Sequence, residues 1–314
     1  MSDLRIKNGF DLDRVNAEAL VKPKKLIEEY ESCYDNTVSD LADNIISNKK
    51  KIVLLSGPSS SGKTTTSFKL KDEFRRRDVT AIAISLDNFF INKREAKKDE
   101  RGCLDLESLN ALDLLLLKKK MDELINKGSS FFPVFDFIAG VRTDDKQEYA
   151  LGENGVAIVE GIHALNNAIT DILPSSLALR LYISVHSDFI SKGHKVLSKR
   201  NARLIRRLVR DFKFRGSSAE NTLFMWPDVC EGEDKYIRPF AEYADIRLDT
   251  TFPYDCGILK SEAVRILSMV ARSSPYFEKA AMLLDRLNHF KSFDLDLLPK
   301  SALLREFTGG GTYE

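Results

Sequence analysis

Gly57-Pro58-Ser59-Ser60-Ser61-Gly62-Lys63-Thr64 has the spacing G-x-x-x-x-G-K-[ST], and the chemistry of that pattern is phosphate binding. A run of small residues lets successive backbone N–H groups curl around the α- and β-phosphates of a nucleoside triphosphate. The N-terminus of a following helix adds partial positive charge. In this reading Gly57, Ser59, Ser60, Ser61 and Gly62 form the cradle and Lys63 reaches the β- and γ-phosphates. Thr64 offers its hydroxyl to Mg2+, and Thr65 touches the α-phosphate.

Phosphoryl transfer needs more than a cradle: an acid to take the acceptor's proton, groups that hold the acceptor, and positive charge over the moving phosphoryl group. Asp87 in Ser85-Leu86-Asp87-Asn88-Phe89-Phe90 is placed to be the base and a Mg2+ ligand, and Glu160 closes another strand, so two acids should arrive next to the triphosphate. Between Lys199 and Arg210, arginines recur at Arg203, Arg207 and Arg210, with Arg215 just beyond. Spacings of four and three stack them on one helix face, suited to clamping phosphates from a movable lid. A solvated basic face and a nucleic-acid stripe are the competing readings; no aromatic residues interleave to favour the latter.

A GTPase would carry an N-K-x-D guanine reader after a late strand, whereas Asn92-Lys93-Arg94-Glu95 has the wrong acid and comes too early. A motor ATPase would end a strand in two acids, but Gly161 follows Glu160.

These residues need a scaffold that delivers them to one place. Lys51 to Ser56 reads as a buried strand feeding the loop and Thr65 to Arg77 as the helix leaving it. Further β-branched runs at 80–85, 155–160, 178–185 and 245–248 alternate with helical stretches. The expected fold is α/β, a parallel sheet of the P-loop NTPase type with helices on both faces. Asp87 and Glu160 then arrive at the carboxyl ends of strands, where such sheets bind ligands. Residues 1–48 read as an N-terminal helical extension, 49–257 as the kinase core with its arginine lid, and 258–314 as a C-terminal helical region ending in a frayed Gly309-Gly310-Gly311 tail.

Composition sets the class. The chain has 314 residues, 43% hydrophobic and 30% charged, with a net charge of +1 that gives no global pull toward nucleic acid or membrane. Cys33, Cys103, Cys230 and Cys256 are far apart, which favours reduced thiols in the cytoplasm over a disulfide frame or zinc site. No stretch reads as a targeting or membrane-spanning segment. Oligomeric state stays open, a homo-oligomer included.

In this order the pieces resemble the uridine kinase and phosphoribulokinase family of P-loop kinases over about Lys51 to Asp255. The resemblance implies ATP and Mg2+ as cofactors and a ribonucleoside phosphorylated on its 5′-hydroxyl. It matches Asp87 to the general base and Asp105, in Cys103-Leu104-Asp105, to the aspartate that holds the ribose hydroxyls. Pro133-Val134-Phe135-Asp136-Phe137 matches the segment lining the nucleoside pocket, with Arg142 close behind, and Glu160-Gly161-Ile162 matches the metal-ligand strand end. Arg206-Arg207-Leu208-Val209-Arg210-Asp211-Phe212-Lys213-Phe214-Arg215-Gly216 matches the lid, implying catalytic Arg210 and Arg215 and a substrate-binding Arg207. The 163–166, 232–237 and Leu303-Leu304-Arg305-Glu306-Phe307 segments further resemble the bacterial-type nucleoside kinase branch, without its synthetase-like N-terminal region.

Two departures bear on the acceptor. Phe135 and Gly140 stand where uridine-cytidine kinases carry the tyrosine and histidine that hydrogen-bond the pyrimidine, and Ser217 replaces a last lid arginine. Phe135 and Phe137 keep only stacking faces, so a sugar phosphate or pantothenate acceptor, or a regulatory nucleotide-binding role without turnover, remains as an alternative.

Overall fold

The computed structural model describes residues 2–5, 9–92, 94–95, 108–136, 139–152 and 154–313; Cys103, Asp105 and Phe137 lie outside the described residues. The strands are β1 (Ser2–Leu4), β2 (Phe10–Asp11), β3 (Ile52–Ser56), β4 (Ala81–Ser85), β5 (Ser129–Asp136), β6 (Val141–Ala150), β7 (Val156–Glu160), β8 (Ala178–Ser184), β9 (Phe189–Ser191), β10 (His194–Leu197) and β11 (Ile246–Asp249). The helices are α1 (Leu12–Val21), α2 (Pro23–Ser47), α3 (Lys63–Arg75), α4 (Leu114–Lys127), α5 (Asn167–Thr170), α6 (Lys199–Phe214), α7 (Ala219–Tyr236), α8 (Arg238–Ala241), α9 (Asp255–Leu267), α10 (Phe277–Asn288) and α11 (Arg305–Thr308).

A parallel sheet in the order β1-β11-β8-β3-β7-β4 forms the centre. All five residues of β3 are buried, as a central strand covered on both faces requires. Because side chains alternate across a strand, Val53 and Leu55 enter one hydrophobic cluster, and Ile52 and Leu54 enter the other. The same alternation sends Val156 and Ile158 one way and Ala157 and Val159 the other. The expected α/β architecture, with its five predicted core strands, is therefore the one observed.

The termini differ from expectation. The N-terminal region is helical over α1 and α2, but β1 also adds a strand to the sheet edge beside β11, too short a run to show any periodicity. Residues of α2, of the core and of the C-terminal turn share a single apolar cluster, so both terminal regions pack on the core. The tail is not frayed. Tyr313 stacks on Phe68 with ring centroids 5.8 Å apart and donates to Asp72 Oδ2 at 2.8 Å.

α6 is the main strut. Ser198 caps its start by accepting from the Asn201 N–H, and every residue from Ala202 to Asp211 is buried. The expected movable arginine face is thus largely packed into the protein, with exposure returning from Lys213 onward. Arg203 also leaves that face: it pairs with Glu233 of α7 and lies 5.4 Å from the Trp226 ring.

Arg206, fully buried, donates from Nε to both oxygens of the fully buried Asp255 at 3.0 Å and from Nη2 to Thr250 O at 2.7 Å. Losing one partner of such a pair leaves an uncompensated buried charge. Asp255→Asn should destabilise the protein by about 3–5 kcal/mol in urea unfolding; a loss below about 1 kcal/mol would mean the guanidinium is satisfied without it.

Candidate active site

The loop between β3 and α3 closes over a strained turn. Ser60, a non-glycine residue, has φ 61°, and Gly62 has φ 90°; both lie in the left-handed region, where only glycine is free of steric cost. Neighbouring groups hold the turn. Arg206 Nη1 donates to Ser60 O at 3.5 Å and Thr250 Oγ1 to Ser61 O at 2.7 Å. From α2, the buried Tyr34 hydroxyl meets Thr66 Oγ1 at 2.7 Å, and Thr66 donates to Gly62 O at 2.6 Å. Lys63 Nζ folds back on the loop, donating to Gly57 O at 2.9 Å and Pro58 O at 3.3 Å.

Two acids approach Lys63 from adjacent strands. The register of β4 against β7 sets Ser85 opposite Glu160, and the loops beyond them touch, since a Cβ on Gly161 would stand 2.7 Å from Leu86 Cβ. Asp87 is the second residue of the short turn Leu86–Phe89 after β4, where its N–H reaches Ser85 Oγ at 3.4 Å. Burial and the negative charge of Asp87 push Glu160 up to about 7, against the pull of Lys63 and a hydrogen bond from Ser85. Burial likewise raises Asp87, while Lys63, Arg215 and Arg210 pull it down. Lys63 in turn is depressed by burial and supported by Glu160, Asp87 and Glu306. These groups therefore titrate in one shared field.

The arginines converge on Asp211. Arg210 donates to its Oδ1 from Nε at 2.9 Å and Nη2 at 2.7 Å, Arg207 Nε lies 3.1 Å from Oδ2, and Arg215 Nε lies 3.7 Å from Oδ1. Three guanidinium groups on one carboxylate leave an excess of positive charge at the cleft. Arg207 also donates from Nη1 to Ser59 Oγ of the phosphate loop at 2.9 Å. The residue expected to hold the acceptor thus touches the phosphate loop as well as Asp211.

The antiparallel hairpin of β5 and β6 is tied to the Asp87 loop by two asparagines. Asn88 Oδ1 accepts from Phe135 N–H at 3.2 Å, and Asn92 Oδ1 from Arg142 N–H at 2.8 Å. The Phe135 side chain is a core residue, 6% exposed with its ring 5.6 Å from that of Phe90, so it offers no open stacking face as expected from sequence. Arg142 is engaged by Asp113 at 3.1 Å and Asp144 at 2.6 Å. It fastens the hairpin to the N-terminus of α4, whose cap is Asp113.

The chemistry of the loop fits a nucleoside triphosphate. Ser60 Oγ and Ser61 Oγ are buried hydroxyls with no hydrogen-bond partner, a costly arrangement that phosphate oxygens would relieve. Thr64 is exposed at the mouth of the loop. Among the described residues no cluster of three or more His, Cys, Asp or Glu could hold a metal alone, so Mg2+ at Thr64, Asp87 and Glu160 would depend on phosphate oxygens for the rest of its shell. Sequence reasoning gave no role to Arg206, Thr250 or Glu306. The first two lie on elements far from the loop in sequence, and Glu306, within a quoted motif, carried no signal of its target.

A family profile described as Phosphoribulokinase / Uridine kinase family matches residues 52–253. The uridine kinases of Staphylococcus aureus strains JH9 and Newman are each 28% identical to this chain over 196 residues, covering 62% of it and 85% of their own length. Among solved structures, one described as a kinase of a fructose transport system in Silicibacter sp. TM1040 is 19% identical with a TM-score of 0.45, covering 67% of this chain and 98% of that one. That last likeness carries no argument about the acceptor.

The raised Glu160 has a consequence in the nucleotide-free protein. Its folded value of about 7 exceeds its ordinary 4.5, so the stability it contributes is fully present below the ordinary value and is lost as pH rises through 7. Glu160→Gln should therefore melt higher than the unaltered protein at about pH 8, with the gap nearly closed at about pH 5. An equal gap at both would show that the carboxylate is not ionised at a cost.

Proposed function

The chain belongs to the phosphoribulokinase / uridine kinase family of P-loop kinases, and from that premise we propose that it transfers the γ-phosphoryl group of ATP to the 5′-hydroxyl of a ribonucleoside, with Mg2+. The observation that carries the reading is the field at Asp87: one half-buried carboxylate just past a strand end, drawn at once by Lys63 of the phosphate loop, by Arg210 of α6 and by Arg215 just beyond that helix. A base so placed meets the nucleophile where the donor's charge is neutralised.

In this mechanism Asp87 accepts the proton of the attacking hydroxyl. Lys63 leaves the loop carbonyls for the β- and γ-phosphates, where its charge persists through transfer. Arg210 and Arg215 stabilise the phosphoryl group as it moves, and Arg207 steadies the loop through Ser59. Mg2+, when bound, neutralises charge on the phosphate oxygens; Thr64, Asp87 and Glu160 are the residues that would hold it. Asp105 is assigned the ribose hydroxyls. Cys33, Cys230 and Cys256 are free thiols, which supports a reducing, cytoplasmic setting.

The base has weaker readers than the sugar. With Phe135 packed against Phe90 and no polar group at Gly140, recognition rests on hydroxyls, and this favours keeping a second reading, a sugar phosphate or pantothenate acceptor. Coupled ADP release with uridine, cytidine, inosine, adenosine, 2′-deoxyuridine, ribulose 5-phosphate and pantothenate separates them. The expected outcome is turnover of ribonucleosides with small differences among bases and a stronger loss for 2′-deoxyuridine, because a carboxylate that hydrogen-bonds a hydroxyl loses its partner when that hydroxyl is absent, whereas Phe135 and Gly140 carry no polar group to tell the bases apart. Turnover of ribulose 5-phosphate or pantothenate alone would replace the nucleoside reading, and a preference for uridine over inosine beyond about 100-fold would show that other residues read the base.

A further inference from the structure

α3 begins without a local cap. Its N-cap position is Gly62, which has no side chain to accept from the first-turn N–H groups, and such groups need a partner. The N–H and the hydroxyl of Thr65 are both taken by one oxygen of Glu306, Oε2, at 3.2 and 2.9 Å. These residues are 241 positions apart, so the contact is made by the tertiary fold and not by the local course of the chain.

The turn that presents Glu306 is firmly built. Leu303, Leu304 and Phe307 are fully buried, and Leu303 lies so close over Gly62 that a Cβ there would stand 2.5 Å from Leu303 Cδ1. Arg305 donates to the carbonyls of Leu295, Leu298 and Gly309 at 3.0, 2.7 and 3.3 Å. Lys213 of α6 reaches Thr308 O at 2.5 Å. The ring of Phe307 lies 5.2 Å from the Arg206 guanidinium, the same group that supports Ser60. The C-terminal turn is thus a wall of the phosphate loop.

Thr65 supplies the donors assigned above to the α-phosphate, and an N–H held by a carboxylate is not free for a second anion. We infer that Glu306 is an internal stand-in for the α-phosphate: it caps α3 while the loop lacks a nucleotide and must release Thr65 when a nucleoside triphosphate binds. The inference rests on the nucleotide-binding reading of the loop. Glu306 is also a third acid beside Lys63, with Asp87 and Glu160, so it opposes an incoming polyphosphate by charge as well as by position. Its side chain is half-buried and carried on a fixed backbone, so the release is a side-chain movement that leaves the wall in place.

A cap present only in the nucleotide-free state stabilises that state and weakens nucleotide binding by the same amount. Titration calorimetry with Mg·ATP on the unaltered protein, Glu306→Gln and Glu306→Ala, beside thermal melts without nucleotide, tests this. Both variants should bind Mg·ATP about tenfold tighter or more, since a charge-assisted hydrogen bond and a like charge are removed together. Both should melt lower than the unaltered protein without nucleotide. The glutamine variant keeps the side-chain size in case alanine disturbs the turn. Equal or weaker binding by a folded variant would overturn the inference while leaving the nucleotide site intact. No binding by the unaltered protein and both variants, all with sharp melts, would overturn the nucleotide reading itself and the inference with it.

Discussion

The buried guanidinium of Arg206 is the interaction on which the rest of the site depends. It meets Asp255 at the start of α9, the carbonyl of Thr250 just after β11, the carbonyl of Ser60 in the phosphate loop and the ring of Phe307 in the C-terminal turn. An always-charged, planar donor in a water-free position must have all its edges satisfied, so these segments are held to one geometry. Ser60 keeps its left-handed conformation because the surroundings over-determine it.

This constraint explains why the terminal regions belong to the site. α2 props α3 through Tyr34 and Thr66, and its Asp35, Ser39 and Asp43 engage Lys69 of α3 and Arg77 just beyond its end. The C-terminal turn closes the opposite side through Leu303 and Glu306. The phosphate loop is therefore embraced by chain from both ends, and the strand ends bearing Asp87 and Glu160 complete it from below. Electrostatically the cleft is divided: acids gather around Lys63, whereas α6 contributes guanidinium groups that share a single aspartate. A polyphosphate with its metal would satisfy both halves.

What could be read from the sequence was what local physics dictates. A central strand buried on both faces must be a continuous apolar run, and the phosphate loop needs small residues at fixed spacing, so β3, the loop and α3 were legible together with β4, β7 and β8. The β5–β6 hairpin was not, because Pro133 breaks the strand pattern; in the structure it sits at the irregularity between Phe132 and Val134, where no ladder N–H is required. Helix periodicity placed Arg203, Arg207 and Arg210 on related faces but could not name their partners: Glu233 is 30 residues from Arg203, and Ser59 is 148 from Arg207. The place of Phe135 in the matched pocket segment suggests a stacking face, and only the fold shows that Phe90, 45 residues away in sequence, packs against its ring. Glu306 lay in a segment noted only for resemblance, and its function as a cap is visible only once the chain has folded back on Thr65.

Binding of a nucleoside triphosphate for transfer by this loop depends first on Lys63. Its ammonium rests on the Gly57 and Pro58 carbonyls, among Glu160, Asp87 and Glu306, poised to exchange those partners for phosphate oxygens. Mg·ATP binding and acceptor-dependent ADP release should be measured side by side on the unaltered protein and a folded Lys63→Ala variant. The variant should lose transfer and bind Mg·ATP more weakly, because that charge is used in the ground and transition states alike. ADP release within about tenfold of the unaltered protein would contradict this.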